Sequence, residues 1–223
     1  MTANNAFTAK SFDFFEGLAA NNDRDWFNDN KDAFTTQLED PFIHLLETLS
    51  NRLADAPRAL SGGKATVFRM NRDVRFSADK QPYKTNLSGL LTPSGSKKEA
   101  SGIVYVHLDA TGGFAAAGYY NFSPAQLGPI RDAMVEKADR FDDVMAHLGK
   151  AGRDLDRTDS LTAMPKGFAE QSEHRHAAEI RLKSLIVREP LPKAAWLTGD
   201  VIDRVEALAR DAMPLLTFAG PAQ

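Results

Sequence analysis

Cysteine is absent from this sequence of 223 residues, which excludes disulfide bonds, cysteine nucleophiles and thiolate metal ligands. There is also no run of about 18 apolar residues, the length that a membrane-spanning helix needs. The start of the chain, MTANNAFTAKSF, lacks the basic first residues and apolar centre of a signal peptide. We therefore expect a soluble, cytoplasmic protein that makes no contact with a membrane.

Common catalytic and nucleotide-binding motifs are also missing. No G-x-x-x-x-G-K-[ST] loop and no G-x-G-x-x-G run occurs, so the standard phosphate-binding loops are excluded. Ser77 and Lys80 have the S-x-x-K spacing of penicillin-binding enzymes, but Pro82 argues against the helix that this motif needs. The companion S-D-N and K-T-G elements are absent as well, so we set this chemistry aside.

Histidine is scarce, with five residues in the chain, and His174 and His176 form the one histidine-rich group, beside Glu173 and Glu179. The group lacks cysteine and a helical H-E-x-x-H, which would indicate a zinc site. It is more typical of a surface loop or a helix end. We therefore predict no metal site, and the cofactor stays unassigned.

The composition is that of a globular protein with one sizeable core, because 43% of the residues are hydrophobic and 26% are charged. We predict a single α+β domain over residues 1–223. N-terminal helices are expected over 11–56, a sheet-forming region over 64–121, and C-terminal helices with a last strand over 123–223. Apolar residues at helical spacing continue past Pro41, where a kink or break is expected.

The predicted strands lie mostly in the middle of the chain and do not alternate with helices. This arrangement favours a central antiparallel or mixed sheet of about five strands, with helices packed mainly on one face. The five strands are expected near 65–76, 85–92, 102–109, 113–121 and 182–188.

Positive charge is concentrated in residues 68–86, FRMNRDVRFSADKQPYKTN, which we call the basic segment. The whole chain has a net charge of −3, yet this segment carries five cations against Asp73 and Asp79. A protein that binds duplex nucleic acid is more often basic overall, so a confined basic patch suits a small anion better. The five cations are Arg69, Arg72, Arg75, Lys80 and Lys84.

Apolar and polar residues alternate along the first half of the basic segment, which predicts a strand with one polar face. Arg72 breaks the alternation, so it is either buried against a partner or re-aimed by a bulge near Asn71. Pro82 predicts a loop over 77–82. Extended structure then resumes, and it carries Tyr83, Lys84 and Asn86.

Arginine and lysine side chains that converge beside a loop can hold a phosphate or carboxylate group by charge-assisted hydrogen bonds. In one hypothesis the protein is an enzyme acting on a small anion, with Asp73 or Tyr83 transferring a proton. In the other it only binds a nucleotide, a nucleic acid or an acidic protein, nucleic acid being less favoured. The predicted ligand-binding residues are Arg69, Asn71, Arg72, Arg75, Lys80, Lys84 and Asn86.

A purely structural role for these charges is equally compatible with the sequence, since Asp73 and Asp79 could pair with the arginines. The five cations nevertheless outnumber the two carboxylates, which favours a binding site. Lys97 and Lys98, in the polar loop 94–101, are predicted to mark a solvated turn. The sequence leaves the ligand and the oligomeric state open.

The basic segment resembles the signature of a bacterial family of unknown function, the DUF2461 family. NNDRDWFNDNKDAF near the start, and MPKGF and LKSLIVREPL towards the end, resemble its other segments in the same order. The resemblance therefore spans nearly the whole chain. It implies no reaction, cofactor or substrate, and supports only the placement of the important residues.

A hairpin is predicted over 102–121, where apolar and polar residues again alternate. One face carries Tyr105, His107 and Asp109 opposite Phe114 and small residues. This face could be the far wall of a pocket. His107 could equally be an ordinary hydrogen-bonded histidine of a sheet, and this second interpretation is favoured.

Overall fold

The computed structural model describes residues 7–98 and 101–219. It contains strands β1 (Asn86–Leu91), β2 (Ile103–Asp109), β3 (Gly112–Tyr119) and β4 (Leu185–Pro190). They form one antiparallel sheet in the order β1-β2-β3-β4, and with the surrounding helices they confirm the α+β class. No helix in the described ranges is long and apolar enough to cross a membrane.

The sheet has four strands in the described ranges and not five, because the strand predicted over 65–76 is wrong. This part of the chain forms a 3-10 turn at Lys64–Thr66 and contacts β1 through an isolated bridge between Val67 and Gly89. It then pairs with residues 82–84, where Arg72 N donates to the Pro82 carbonyl at 2.8 Å. The basic segment is therefore an irregular hairpin in which the backbone of residues 70–72 pairs with that of residues 82–84.

The N-terminal helices follow one another with short connections. They are α1 (Ala9–Ala20), α2 (Arg24–Asp29), α3 (Lys31–Phe34) and α4 (Asp40–Arg52), with a π-helical turn at Thr35–Glu39 between α3 and α4.

The kink expected at Pro41 takes the form of this π-helical turn, which lies just before the proline. Pro41 has no N–H to donate to the carbonyl of Gln37, four residues earlier. That carbonyl instead accepts a hydrogen bond from Ser11 Oγ in α1, at 2.8 Å. The lost helical bond is thus replaced by a tertiary contact between α1 and the turn.

The C-terminal half of the chain contributes mainly helices. Ser123 caps α5, because its Oγ accepts from Gln126 N at 3.4 Å while Gln126 Oε1 accepts from Ser123 N at 2.9 Å. The helices are α5 (Pro124–Glu136), α6 (Ala138–Lys150), α7 (Ala177–Ile180), α8 (Lys193–Thr198), α9 (Val201–Asp211) and α10 (Met213–Phe218).

The two faces of the sheet differ in burial. On one face, Val104, Val106 and Leu108 of β2 are fully buried in the hydrophobic core. Helix α4 contacts β1, while α8, α9 and α10 contact β3. Gly89 of β1 lets α4 approach closely, because a Cβ there would lie 2.7 Å from Leu46 Cδ1. Packing of the helices mainly on one face stays a prediction.

Candidate functional site

The other face of the sheet bears a cavity of about 550 Å³, which we call the sheet-face cavity. Small residues of β3, Ala116 and Gly118, form part of its lining. Gly118 has a φ of 138°, and a Cβ there would lie 2.0 Å from the Leu185 carbonyl oxygen, so only glycine fits. The aromatic lining residues are Phe68, Tyr105, Phe114 and Tyr120.

His107 lies at the centre of a hydrogen-bonded group in this lining. Its Nδ1 lies 3.0 Å from the Tyr105 hydroxyl and 3.3 Å from Asn86 Nδ2, while its Nε2 lies 3.4 Å from Asp109 Oδ2. Since the Asn86 amide nitrogen can only donate, Nδ1 is the acceptor and Nε2 carries the proton in the neutral ring. The ring also stacks on Phe114, with centroids 4.9 Å apart.

Burial changes the acid–base properties of two residues in this group. It lowers the pKa of His107 below its ordinary value, against the opposing effect of the Asp109 carboxylate. It raises the pKa of Tyr105. Both side chains are therefore neutral near pH 7, with the imidazole able to accept a proton and the phenol able to donate one.

Acid should destabilise the protein in part through His107. Its pKa is lower in the folded chain than the value of about 6.5 expected when unfolded. As the pH falls through that value, the unfolded chain binds a proton that the folded chain disfavours, so the free energy of unfolding decreases. We expect His107→Gln to show a weaker decrease between pH 7 and pH 5 in urea denaturation. An unchanged pH dependence would contradict the burial of this imidazole.

Lys97, which lines the cavity, and Lys84, which lies outside the lining, both approach the Phe68 ring. Together with Arg69, whose charge acts on Lys84, they form what we call the cation cluster. The Nζ atoms of Lys84 and Lys97 lie 5.5 and 5.9 Å from the Phe68 ring centroid. Lys97 also donates to the Val67 carbonyl at 2.8 Å. The pKa of half-buried Lys84 is lowered by burial first, and then by the charges of Arg69 and Lys97.

The cation cluster has no acidic partner in the part of the chain that the structure describes. No carboxylate oxygen of residues 7–98 or 101–219 lies within 4.0 Å of a charged nitrogen of Arg69, Lys84 or Lys97. Like charges close together and partly removed from water are unfavourable. Among the described residues, the three positive charges are therefore not balanced by a carboxylate.

Two arginines of the basic segment, in contrast, are paired with nearby carboxylates. Arg72 Nη1 lies 2.5 Å from Asp79 Oδ2. Arg75 donates to both oxygens of Asp73, at 2.9 and 2.6 Å, and these bonds lower the pKa of that carboxyl. For these two arginines the geometry agrees with a structural ion-pair network.

Three further predicted site residues also lie outside the lining of the sheet-face cavity. Asn71 is exposed and forms an isolated bridge with Tyr83, and Lys80 Nζ donates to the Val74 carbonyl at 3.1 Å. Tyr83 is buried and stacks on Phe27, with centroids 4.1 Å apart. None of the predicted site residues is part of the lining of the sheet-face cavity, but Lys84 and Asn86 lie beside two residues that are, Phe68 and His107.

Several residues at the cavity were not predicted as site residues. Lys97 is exposed, as expected for a solvated turn, but it lines the cavity. Arg188 of β4 also lines it, with its guanidinium 4.9 Å from the Phe114 centroid and its Nε 2.7 Å from Asp156 Oδ2. The polar face of the predicted hairpin was the sequence signal for Tyr105 and His107.

The histidine pair predicted at a surface loop or helix end lies at the start of α7. His176 is buried, packs edge-on against Phe141 and places Nε2 3.1 Å from Asp142 Oδ1. Its backbone N–H donates to His174 Nδ1 at 3.1 Å. Within residues 7–98 and 101–219, no group of three or more His, Asp and Glu side chains could hold a metal ion.

Comparison with known protein families finds one match, which covers nearly the whole chain. The family model described as "Conserved hypothetical protein (DUF2461)" matches residues 10–218, a range that contains the whole basic segment and the sheet-face cavity. No curated protein matches the chain. The resemblance found in the sequence is therefore confirmed over nearly the whole chain.

Proposed function

We propose that this chain, which belongs to the DUF2461 family, binds a small anionic ligand in the sheet-face cavity. The cation cluster would hold the phosphate or carboxylate group of that ligand. The main support for this proposal is Lys84, whose pKa is lowered by burial and by two neighbouring cations. Such perturbed groups beside a cavity are typical of functional sites, and an anion would relieve the repulsion between the three charges.

A planar group attached to the anion would match the remaining lining of the cavity. Aromatic rings line it, and Tyr120 is 61% exposed, which leaves its ring available for stacking. The volume of about 550 Å³ lies within the roughly 300–1,000 Å³ that small-molecule sites usually have. A nucleoside phosphate combines both features, so it is the ligand class that we favour.

Isothermal titration calorimetry with nucleoside monophosphates and their parent nucleosides tests this proposal. We expect the phosphates to bind at least about tenfold more tightly, because a hydrogen bond to a charged group contributes roughly 1.5–3 kcal/mol. Affinity should also fall with added salt.

The same titration has outcomes that would end the proposal. Equal affinity for nucleoside and nucleotide would show that the cation cluster contributes nothing. No binding and no rise in melting temperature with phosphates, pyrophosphate or small carboxylates, in protein that is folded, would remove the site altogether.

A catalytic role for the same cavity is the second candidate function. It is favoured by the contact between neutral His107 and the Tyr105 hydroxyl, which places a proton acceptor and a proton donor side by side. His107 is better placed for this role than Asp73, which is exposed and ion-paired, or Tyr83, which is buried. Product formation from a bound nucleotide that His107→Gln abolishes, with binding at pH 8 retained, would distinguish catalysis from binding alone.

A further inference from the structure

A second cavity of about 530 Å³ lies between α5 and the loop 159–166; we call it the α5 cavity. It adjoins the sheet-face cavity at Tyr120 and Asn121, which line both. Its walls are mostly apolar, and the MPKGF segment contributes to them. The main apolar residues are Phe122, Leu127, Leu161 and Met164.

A buried cation, Arg131, also lines the α5 cavity. It is 4% exposed, and its Nε and Nη2 donate to the carbonyls of Ile180 and Leu182 at 2.8 and 3.0 Å. These acceptors are neutral, and in the described ranges no carboxylate oxygen lies within 4.0 Å of the guanidinium. Burial lowers the pKa of Arg131, as expected for a cation without a compensating charge.

The third guanidinium nitrogen of Arg131, Nη1, is available to a ligand. It has no hydrogen-bond acceptor among residues 7–98 and 101–219. The described residues contain no fully buried side-chain nitrogen or oxygen that lacks a hydrogen-bond partner. Since Nη1 lacks a partner, part of its surface must be accessible, although the side chain as a whole is almost completely buried.

We propose that the α5 cavity binds a monocarboxylate with an apolar body, whose carboxylate contacts Arg131 Nη1. A single charge fits, because the wall offers one free guanidinium nitrogen and the exposed Lys166, while Lys183 is already 2.7 Å from Asp159 Oδ1. The apolar walls would cover the body of the ligand. The proposal stands independently of the sheet-face cavity, whose ligand and cations are different.

Calorimetric titration with octanoate, and with octanamide as its neutral counterpart, tests this second site. We expect octanoate to bind at least about tenfold more tightly, since a charge-assisted hydrogen bond is lost with the amide. Ala163→Trp, which fills the cavity from an exposed position of its lining, should weaken octanoate at least tenfold. Ala169→Trp, at an exposed alanine outside the lining, is the matched control and should leave the affinity unchanged.

Arg131→Gln removes two carbonyl contacts and is expected to destabilise the fold, so the Ala163 variant carries the test. Equal affinity for octanoate and octanamide, no binding of octanoate, or full affinity in Ala163→Trp would overturn the proposal. Lys97→Gln should leave octanoate affinity unchanged. A loss of octanoate affinity in Lys97→Gln would place the carboxylate in the sheet-face cavity. That result would also overturn the proposal for the α5 cavity, but it would not contradict nucleotide binding in the sheet-face cavity.

Discussion

Replacing Lys84 and Lys97 together by glutamine should lower the affinity for nucleoside phosphates at least about a hundredfold while changing the melting temperature little. Two charge-assisted hydrogen bonds are lost, each contributing roughly 1.5–3 kcal/mol. Stability should change little, because relief of the repulsion that Arg69 and Lys97 exert on Lys84 offsets the loss of the Lys97 bond to the Val67 carbonyl. Residues selected for binding often oppose stability in this way.

Two neighbouring lysines provide matched controls for this double substitution. Lys80 lies in the same basic segment and Lys98 follows Lys97, and both are exposed and outside the cavity lining. Lys80→Gln and Lys98→Gln together remove the same charge from the protein. Calorimetric titration and scanning calorimetry compare the two double variants. An equal loss of affinity in the control would mean that net charge, and not the cation cluster, attracts the ligand.

Gly118→Ala should reduce the free energy of unfolding by about 3 kcal/mol or more. The residue has a φ of 138°, and the added Cβ would meet the Leu185 carbonyl oxygen at 2.0 Å. Strained backbone costs roughly 1–3 kcal/mol, and relieving the overlap must separate β3 from β4, where Gly118 pairs with Ile186. The substitution therefore acts on the sheet that forms the cavity.

The same substitution by alanine at Gly149, near the end of α6, should instead increase the free energy of unfolding. A Cβ at this position meets nothing within 4 Å, and alanine is favoured over glycine in helices by up to about 1 kcal/mol. Urea denaturation of Gly118→Ala and Gly149→Ala measures both effects. If the free energy of unfolding of Gly118→Ala lay within 1 kcal/mol of that of the unsubstituted protein, the close pairing of β3 with β4 at Gly118 would be contradicted.

The sheet was largely predictable, because β2 and β3 are neighbours in the chain and show regular alternation. The strand predicted over 65–76 failed for a physical reason. Alternation describes any extended chain, and it does not reveal whether the backbone pairs with β1 or with residues 82–84. The π-helical turn before Pro41 likewise depends on Ser11, a contact with a distant part of the sequence.

The candidate site could be predicted only in part, because charge pairing depends on the fold. Arg72 and Arg75 pair with carboxylates in their own segment, and only the hairpin geometry shows this. Lys97 reaches the cavity because its Nζ bonds to the Val67 carbonyl, thirty residues away. Arg188 arrives through the pairing of β4 with β3. The sequence identified a surplus of cations, but not which of them lack a carboxylate partner among the described residues.

Titration of Lys84 by nuclear magnetic resonance, with labelled lysine side chains, tests the central claim most directly. In the free protein we predict a pKa for Lys84 below the ordinary lysine value of about 10.5. It should rise when a nucleoside monophosphate is added at saturating concentration, while Lys98 stays unchanged. An ordinary pKa in the free protein, or no rise with any phosphate or carboxylate ligand, would contradict an anion site at the cation cluster.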